Sequence, residues 1–154
     1  MSTPMIRPPQ DDELVAVAHL RWQWFHENQA TPTTTQEEFT RSFVFWAQAN
    51  KSSHRCLVLL DDDVIIGMAW LAIFERVPTP RTPRRLSGDV QCMYVVPERR
   101  DGGLGSQLIA AVIGLADELG LKPLTVHSSP KAINAYTRRG FATSPGLLRT
   151  ELTR

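Results

Sequence analysis

The sequence has few cysteines, no long apolar run and no apolar N-terminal segment. It contains two cysteines, Cys56 and Cys92, which lie in apolar runs and form no C-x-x-C pair. Buried free thiols are therefore favoured over a redox or zinc role. No apolar run approaches the roughly 18 residues that span a bilayer, and the N-terminal residues lack the apolar core of a signal peptide. We expect a cytoplasmic protein that is neither secreted nor embedded in a membrane.

The sequence also lacks an excess of charge of either sign. Lysine and arginine together number 17 against 16 acidic residues, which gives a formal net charge of +1. This balance argues against a protein that coats nucleic acid or an anionic membrane. His19, His26 and His54 share no metal-ligand spacing, so no metal site is predicted. A chain of this length buries roughly 70% of its unfolded surface, enough for one domain over residues 1–154 without disulfide or metal support.

Two amphipathic helices are predicted before any strand. The first covers residues 11–28, where apolar residues recur at helical spacing and Asp11 or Asp12 is the expected N-cap. The second follows Thr35, because the spacing between Thr35 and Glu38 matches a capping box and apolar residues recur behind it at three- and four-residue steps.

A β-hairpin is predicted after the helices. Residues 55–60 and 64–74 are rich in Val, Ile, Leu and Trp, and the three aspartates at 61–63 between them read as a solvated turn rather than a metal site. Residues 75–88 carry three prolines and four arginines. Because proline donates no hydrogen bond to a ladder, we expect an extended, exposed loop over these residues.

The second half of the chain is predicted to alternate strands and helices. A strand over residues 89–96 ends at Pro97, and a long helix over residues 103–119 is followed by Gly120, where a left-handed C-terminal cap is expected. The remaining predicted elements are a strand at 124–127, a helix that Ser129 caps and that ends at Gly140, and a strand pair at 141–143 and 147–152.

The run from Met93 to Leu108 places a buried strand, a glycine-rich loop and an amphipathic helix in direct succession. The first N–H groups of such a helix are unpaired and the helix dipole adds partial positive charge, so we expect a phosphate or pyrophosphate there. A Walker P-loop needs a lysine that this loop lacks. A dinucleotide fingerprint needs a third glycine where Leu108 stands, and a βαβ unit near the N-terminus that is absent.

The pattern Val-x-Pro-x-x-Arg-x-x-Gly-Leu-Gly-x-x-Leu at residues 95–108 resembles the acyl-CoA-binding motif of the GNAT superfamily of N-acetyltransferases. Residues 129–141, which end in Tyr-x-x-x-Gly-Phe, resemble the second motif of that family. The resemblance covers nearly the whole chain. It implies an α/β (α+β) fold in which a mixed, mostly antiparallel sheet of six to seven strands is splayed in a V and flanked by about four helices.

The same resemblance implies a binding site for acetyl-CoA as co-substrate. Backbone groups of Met93, Tyr94 and Val95 would pair with the pantetheine amides. The residues that would cradle the pyrophosphate are Arg100, Gly102, Gly103, Leu104, Gly105 and Ser106. Whether the Arg100 guanidinium takes part or is merely solvated is open. Many relatives carry a basic residue at the positions of Asp101 and Gly102, and the Asp101 carboxylate would repel the pyrophosphate weakly. Ser129 stands where relatives often place a cofactor-contacting asparagine, and a simple helix cap is the competing interpretation.

Two residues match catalytic positions of the family. Tyr136 matches the tyrosine whose hydroxyl approaches the thioester sulfur, with core packing as the alternative. Asp89 begins a strand where several relatives carry a glutamate that deprotonates the amine, and period-two alternation puts Asp89, Gln91 and Met93 on one face. A strand-entry role for Asp89 is equally open, and His127 or water is the rival base.

The resemblance therefore implies an enzyme that transfers an acetyl group from acetyl-CoA directly to a primary amine of a small molecule or peptide, in a ternary complex. A non-catalytic acyl-CoA-binding or regulatory module is the alternative. Aromatic and acidic residues of the first two helices would suit a cationic amine, namely Trp22, Trp24, Phe25, Phe43, Phe45 and Trp46 with Glu27, Glu37 and Glu38. The arginines of residues 76–85 would instead suit an acidic acceptor. The acceptor, the acyl chain and the oligomeric state, a homodimer included, stay open.

Overall fold

A five-stranded sheet forms the centre of the computed structural model, which describes residues 3–28 and 30–152. Met1, Ser2, Gln29, Thr153 and Arg154, which belong to the predicted domain of residues 1–154, lie outside the described residues. The strands are β1 (Met5–Arg7), β2 (His54–Asp61), β3 (Val64–Arg76), β4 (Arg85–Val95) and β5 (Leu124–Val126). The helices are α1 (Leu14–Glu27), α2 (Gln36–Ala49), α3 (Leu104–Glu118) and α4 (Ile133–Arg138), and short 3-10 turns cover Asp11–Glu13, Pro97–Arg99 and Pro130–Ala132.

The strands follow chain order across the sheet, and every neighbouring pair is antiparallel except β4 and β5, which are parallel. The predicted mixed, mostly antiparallel sheet with four helices is therefore confirmed. The predicted count of six to seven strands is wrong, because the described chain forms five.

The starts of α1 and α2 follow the local sequence closely. The turn before α1 is capped at Gln10, whose N–H donates to the Glu13 carboxylate at 2.8 Å, so the predicted cap at Asp11 or Asp12 is wrong by one or two positions. At α2 the predicted cap is confirmed, because the Thr35 hydroxyl accepts from the Glu38 N–H at 3.2 Å. The Glu38 carboxylate accepts from the Thr34 hydroxyl at 2.9 Å.

Strand β1 corrects the prediction that two helices precede every strand. It pairs with β2 through Met5 and Leu60, Ile6 and Leu59, and Arg7 and Val58. Three residues between prolines are too few for alternation to be visible in the sequence. The hairpin of β2 and β3 is confirmed, and Asp62 and Asp63 both have positive φ angles, 52° and 64°. Such angles are typical of a two-residue type I′ turn, which suits the twist of the strands.

The exposed loop between β3 and β4 is shorter than predicted. Strand β3 continues to Arg76 and β4 begins at Arg85, so the loop covers residues 77–84 rather than 75–88. The three prolines all fall within 77–84, whereas Arg85, Leu86, Ser87 and Gly88 can pair with β3 because each carries an N–H.

The predicted strand pair at 141–143 and 147–152 is wrong. Within the described chain, no strand follows Val126, and the leucines of this segment stay in contact with solvent: Leu147 is 68% exposed, Leu148 87% and Leu152 92%. A strand is stabilised by a ladder partner and a buried face, and these residues have neither.

The two faces of the sheet carry separate apolar clusters. Helix α3 covers one face, where Leu104, Leu108 and Val112 pack against Leu59, Leu71 and other strand residues. Helices α1 and α2 cover the opposite face, where Leu14, Val17 and Ala47 pack with Val58, Met68 and Trp70. Fully burying one such aliphatic side chain contributes about 1.5–3 kcal/mol, so both faces hold β4 firmly in the middle of the molecule.

Candidate functional site

Strands β4 and β5 run together for a short distance and then separate. They pair at three positions, Gly88 with Leu124, Asp89 with Thr125, and Val90 with Val126. Strand β4 continues to Val95, whereas β5 ends at Val126. The last five residues of β4 therefore present a strand edge on the β5 side that no strand of the described chain occupies, as the predicted V-shaped splay requires.

A β-bulge interrupts β4 beside this open edge. Met68 pairs with Tyr94 and Trp70 pairs with Gln91, so Cys92 and Met93 together lie opposite a single residue of β3. Cys92 has a φ of +55°, an unusual angle for a residue other than glycine. Because one extra residue shifts the alternation of side chains, Met93 packs toward the α3 face, as Val90 does. The prediction that Asp89, Gln91 and Met93 share one face is therefore wrong for Met93.

The loop after β4 forms an open cradle at the start of α3. Asp101 and Gly103 have left-handed φ angles of 68° and 83°, and Gly103 is the N-cap of the helix. The N–H groups of residues 101–106 donate to no backbone carbonyl of the described chain; the first bond of the helix joins Gln107 N to Gly103 O at 3.1 Å. A Cβ atom added at Gly102, Gly103 or Gly105 would meet no atom within 4 Å. The cradle thus offers free donors and open space to an anion.

The Arg100 side chain contacts a strand carbonyl and a carboxylate. Its Nε donates to the Val95 carbonyl at 2.8 Å, and its Nη2 pairs with the Glu27 carboxylate at 2.9 Å. The guanidinium thus forms an ion pair while 43% of the side chain stays exposed, and the phosphate contact of Arg100 stays a prediction. One lone pair of the Val95 carbonyl, a predicted pantetheine partner, is also occupied.

Tyr94 of β4 adds a hydrogen bond to the ion pair of Arg100 with Glu27, and the three side chains form a cluster. Its hydroxyl donates to the Glu27 carboxylate, and the Arg100 guanidinium lies 5.3 Å from the centre of its ring. Burial would raise the pKa of Glu27, but the hydrogen bonds from Tyr94 and Arg100 outweigh it and lower that pKa. Burial and the neighbouring Glu27 raise the pKa of Tyr94. Glu27 is the last residue of α1, so the cluster joins that helix to the loop.

Tyr136 is buried in α4, with 4% of its surface exposed. Its ring makes an edge contact with Phe141 at 5.4 Å between centroids, so the tyrosine does have the packing role that was the alternative to catalysis. Its hydroxyl forms no hydrogen bond with any described residue, and burial raises the pKa of Tyr136 to about 12. The hydroxyl of Tyr136 is therefore protonated at physiological pH, and its O–H donates to no described residue.

Asp89 lies where β4 and β5 are still paired. Its carboxylate accepts from the Thr125 hydroxyl at 2.6 Å and from the Gln91 amide at 3.1 Å. These two donors fix the orientation of a half-buried carboxylate on the α1 and α2 side of the sheet. His127, the rival base, follows the end of β5 and is exposed.

Ser129 does not cap its helix with its side chain, which corrects the capping prediction. It occupies the N-cap position of the Pro130–Ala132 turn, and only its carbonyl takes part, accepting from the Ala132 N–H at 3.1 Å. Its hydroxyl is exposed and makes no hydrogen bond within residues 3–28 and 30–152. The cofactor contact therefore stays a prediction.

Arg139 is a residue of this region that sequence reasoning missed. Its Nε donates to the Ser106 hydroxyl in the first turn of α3 at 3.0 Å. It lies within Tyr-x-x-x-Gly-Phe, but the variable positions of that motif carry no signal, and the two residues are 33 positions apart. The side chain reaches the cradle only because α4 packs beside α3.

A model of the acetyltransferase (GNAT) family matches residues 14–141, most of the chain. The chain belongs to the GNAT family. A predicted acetyltransferase from Clostridium acetobutylicum, solved with acetyl-CoA, is similar in structure with a TM-score of 0.78, 19% identity, and coverage of 97% of this chain and 96% of that one.

Other solved structures agree with the GNAT fold. A GCN5-related N-acetyltransferase from Ralstonia eutropha JMP134 has a TM-score of 0.73, 21% identity, and coverage of 97% and 99%. Glucosamine-6-phosphate N-acetyltransferase from Arabidopsis thaliana has a TM-score of 0.73, 17% identity, and coverage of 98% and 99%. No curated protein matches the sequence.

The aromatic residues of this GNAT chain mostly stack on one another between α1, α2 and the sheet. Neighbouring ring centroids lie 4.9–5.9 Å apart along a continuous series: His26, Trp22, Phe39, Phe43, Trp70, Trp46 and His54. Phe45 is different, because it is 75% exposed. Most of the predicted aromatic wall is thus engaged in packing, whereas Phe45 is largely exposed and Trp46 is 39% exposed.

The part of the chain that the structure describes offers no metal-binding cluster and no membrane-spanning helix. No group of three or more His, Cys, Asp or Glu side chains lies close enough to hold a metal ion among residues 3–28 and 30–152. None of the helices in those ranges has the length and apolar character needed to cross a membrane.

Proposed function

We propose that this single-domain chain is an acetyl-CoA-dependent N-acetyltransferase that moves the acetyl group to a primary amine of a small molecule or peptide. The observation that carries the proposal is the cradle at the start of α3, where six consecutive N–H groups have no backbone acceptor, directly beside the unpaired edge of β4. Helix N-termini of this kind bind phosphate groups, and an extended arm can add to an open strand edge.

The cofactor would lie along the path from the cradle to the bulge. Its pyrophosphate would bind the N–H groups of Gly102 to Ser106, and its pantetheine arm would pair with backbone groups of Met93, Tyr94 and Val95. A bulge leaves one residue of the strand outside the ladder. The N–H near Met93 or Tyr94 would therefore be free to stabilise the oxyanion that forms during acyl transfer.

Direct transfer in a ternary complex is favoured over an acyl-cysteine intermediate. Burial raises the pKa of Cys56 and of Cys92, so both thiols stay protonated and poorly nucleophilic at neutral pH. Asp89 would accept the proton of the amine, directly or through water, because Thr125 and Gln91 hold its carboxylate in a fixed orientation. His127 and water are the alternative bases. Tyr136 would donate a hydrogen bond to the departing sulfur.

The acceptor class follows from which charge lies nearest the amine. Asp89 and the acidic start of α2 favour a cationic amine. Arg76 and the arginines of residues 81–85 instead favour an acceptor that also carries a negative group. Activity in the cytoplasm, without nucleic acid or membrane as partner, fits the balanced composition. A homodimer is compatible with this function and not required by it.

Calorimetry with acetyl-CoA and a thiol-release assay across a panel of amines and peptides test the proposal together. Binding with thiol release supports the enzyme. Binding without release from any amine or peptide supports the alternative, a non-catalytic acyl-CoA-binding module. Absence of acetyl-CoA binding by the folded protein refutes both.

Gly105 provides the sharpest single variant, because a Cβ there meets open space and the residue has an ordinary helical φ. Gly105→Glu would place a carboxylate against the pyrophosphate, a repulsion of up to about 4 kcal/mol near a protein surface, so acetyl-CoA affinity should fall by up to about a thousandfold. A glutamate in a first helical turn is favourable to the helix, so the melting temperature should hold. Gly105→Ala is the matched control and should bind nearly normally. Equal affinity in both variants would show that the loop binds something else.

A further inference from the structure

The arginines around the cradle differ in whether a carboxylate already neutralises them. Arg99 pairs with Asp61 at 2.5 Å, and Arg100 pairs with Glu27 at 2.9 Å. Each of these guanidinium groups already forms an ion pair, so a contact with a phosphate would compete with a carboxylate. Asp101 adds a further negative charge in the loop itself. A guanidinium without a carboxylate partner would therefore come from another segment of the chain.

Arg139 is held at the cradle without such a partner. Its Nε donates to the Ser106 hydroxyl at 3.0 Å, and in the described ranges it forms no ion pair with a carboxylate and its terminal Nη groups make no hydrogen bond. Ser106 is the third residue of α3 and lies at the end of the run of unpaired N–H groups. One edge of the guanidinium is thus anchored, and the other is free.

We propose that Arg139 binds the cofactor pyrophosphate, with Ser106 as the residue that orients it. This inference rests on the proposed function, because it assigns a residue to the acetyl-CoA site. A guanidinium presents parallel N–H donors whose geometry matches two phosphate oxygens. Holding one edge in place reduces the side-chain entropy lost on binding. The Arg139 side chain supplies a positive charge at the cradle, where the Arg100 charge is paired with Glu27. It also offsets the negative charge of Asp101.

The position of Arg139 also links the two ends of the cofactor. It lies one turn after Tyr136, and its N–H donates to the Tyr136 carbonyl at 3.0 Å. Helix α4 has only six residues, so it depends on contacts with α3 for its placement. A pyrophosphate bound to Arg139 would hold the C-terminal end of α4 against α3 while Tyr136 approaches the thioester.

The test compares Arg139→Gln with Arg138→Gln, an adjacent exposed arginine that makes no side-chain hydrogen bond or ion pair with the described residues. Calorimetry with acetyl-CoA should give a Kd about tenfold higher for Arg139→Gln. A hydrogen bond to a charged group contributes more than this in a buried site, but Arg139 is exposed, so its effect should be small. Arg138→Gln should match wild type. Arg139→Lys should recover part of the loss, and the melting temperatures of all variants should agree.

Two further measurements separate a phosphate contact from a structural role. The wild-type Kd should weaken as salt is added, and this dependence should flatten in Arg139→Gln, because one screened ion pair is gone. The loss should persist with acetyl-dephospho-CoA, which keeps the pyrophosphate and lacks the 3′-phosphate.

Several outcomes overturn the inference. Equal affinity of Arg139→Gln and wild type removes the contact, and an equal loss in Arg138→Gln reduces it to general charge. A loss that disappears with acetyl-dephospho-CoA assigns Arg139 to the 3′-phosphate instead. If the wild-type protein does not bind acetyl-CoA, the proposed function fails and takes this inference with it, whereas normal wild-type binding with a silent Arg139→Gln refutes the inference alone.

Discussion

Replacing Tyr136 with phenylalanine removes one hydroxyl from α4 and leaves the ring in place. The edge contact with Phe141 at 5.4 Å is kept, and no described residue loses a hydrogen-bond partner. The free energy of unfolding should therefore change by less than about 1 kcal/mol. Tyr136→Ala, which removes the buried ring, should cost about 3–5 kcal/mol, so the pair of variants separates packing from chemistry.

The size of the catalytic effect follows from the pKa. Burial raises the pKa of Tyr136 to about 12, and a thiol titrates near 8.5, so full proton transfer to the thiolate is uphill by roughly 3.5 pKa units, or about 5 kcal/mol. The hydroxyl then acts mainly as a hydrogen-bond donor to the developing negative charge, an interaction of about 1.5–3 kcal/mol. At about 1.4 kcal/mol per factor of ten, Tyr136→Phe should lower kcat by about 10- to 150-fold.

The assay is thiol release at saturating acetyl-CoA with an accepted amine, together with calorimetry and thermal unfolding. We expect acetyl-CoA affinity to stay within about twofold, since the hydroxyl binds the sulfur more strongly in the transition state than in the ground state. Because the pKa lies near 12, the wild-type enzyme should show no loss of kcat from this group below about pH 10. A fully active Phe variant would remove Tyr136 from the mechanism, and a matched loss of stability and activity would assign it to packing alone.

Two further predictions concern carboxylates. If Asp89 is the base, Asp89→Asn should lower turnover by about a hundredfold or more and remove the acidic limb of the pH–rate profile at unchanged acetyl-CoA affinity; unaltered rates would point to His127 or water. The ion pair with Arg7 and the hydrogen bond from the Gln10 N–H lower the pKa of Glu13 from 4.5 to about 2. The ionised Glu13 carboxylate therefore stabilises the folded protein above pH 4.5, and this contribution is lost as the pH falls toward 2. Glu13→Gln should cost about 0.5–1 kcal/mol at pH 7 in urea unfolding, and a gap that persists at pH 2 would contradict this.

The elements that could be predicted are those in which periodicity, caps and turn residues agree. Helix α2 has its cap at Thr35 and its apolar stripe in register, and α3 is followed by Gly120, whose φ of +72° is the expected left-handed conformation. The strand–loop–helix order around Gly103 was predictable for the same reason. These signals are local, so neighbouring residues suffice to reveal them.

The errors have a different physical origin. Strand β1 exists because it adds to the edge of β2, and its three residues carry no pattern of their own. Residues 147–152 resemble a strand in composition, yet the described part of the chain gives them no ladder partner and no buried face. The ion pair of Arg100 with Glu27 joins residues 73 positions apart. Pairing and charge compensation across the fold are decided by tertiary structure, which a single sequence does not display.

The bulge at Cys92 explains why the site is harder to predict than the fold. Up to Gln91, odd-numbered residues of β4 face α1 and α2; after the extra residue, Tyr94 faces them and Val95 packs under α3. A regular strand would turn Tyr94 away from Glu27 and break the contact that joins α1 to the loop through Arg100. The positive φ of Cys92 costs about 1–2 kcal/mol, and the strand meets that cost with the apolar contacts of both faces. A single backbone irregularity thus separates the face that carries Asp89 and Gln91 from the one that carries Met93 and Val95.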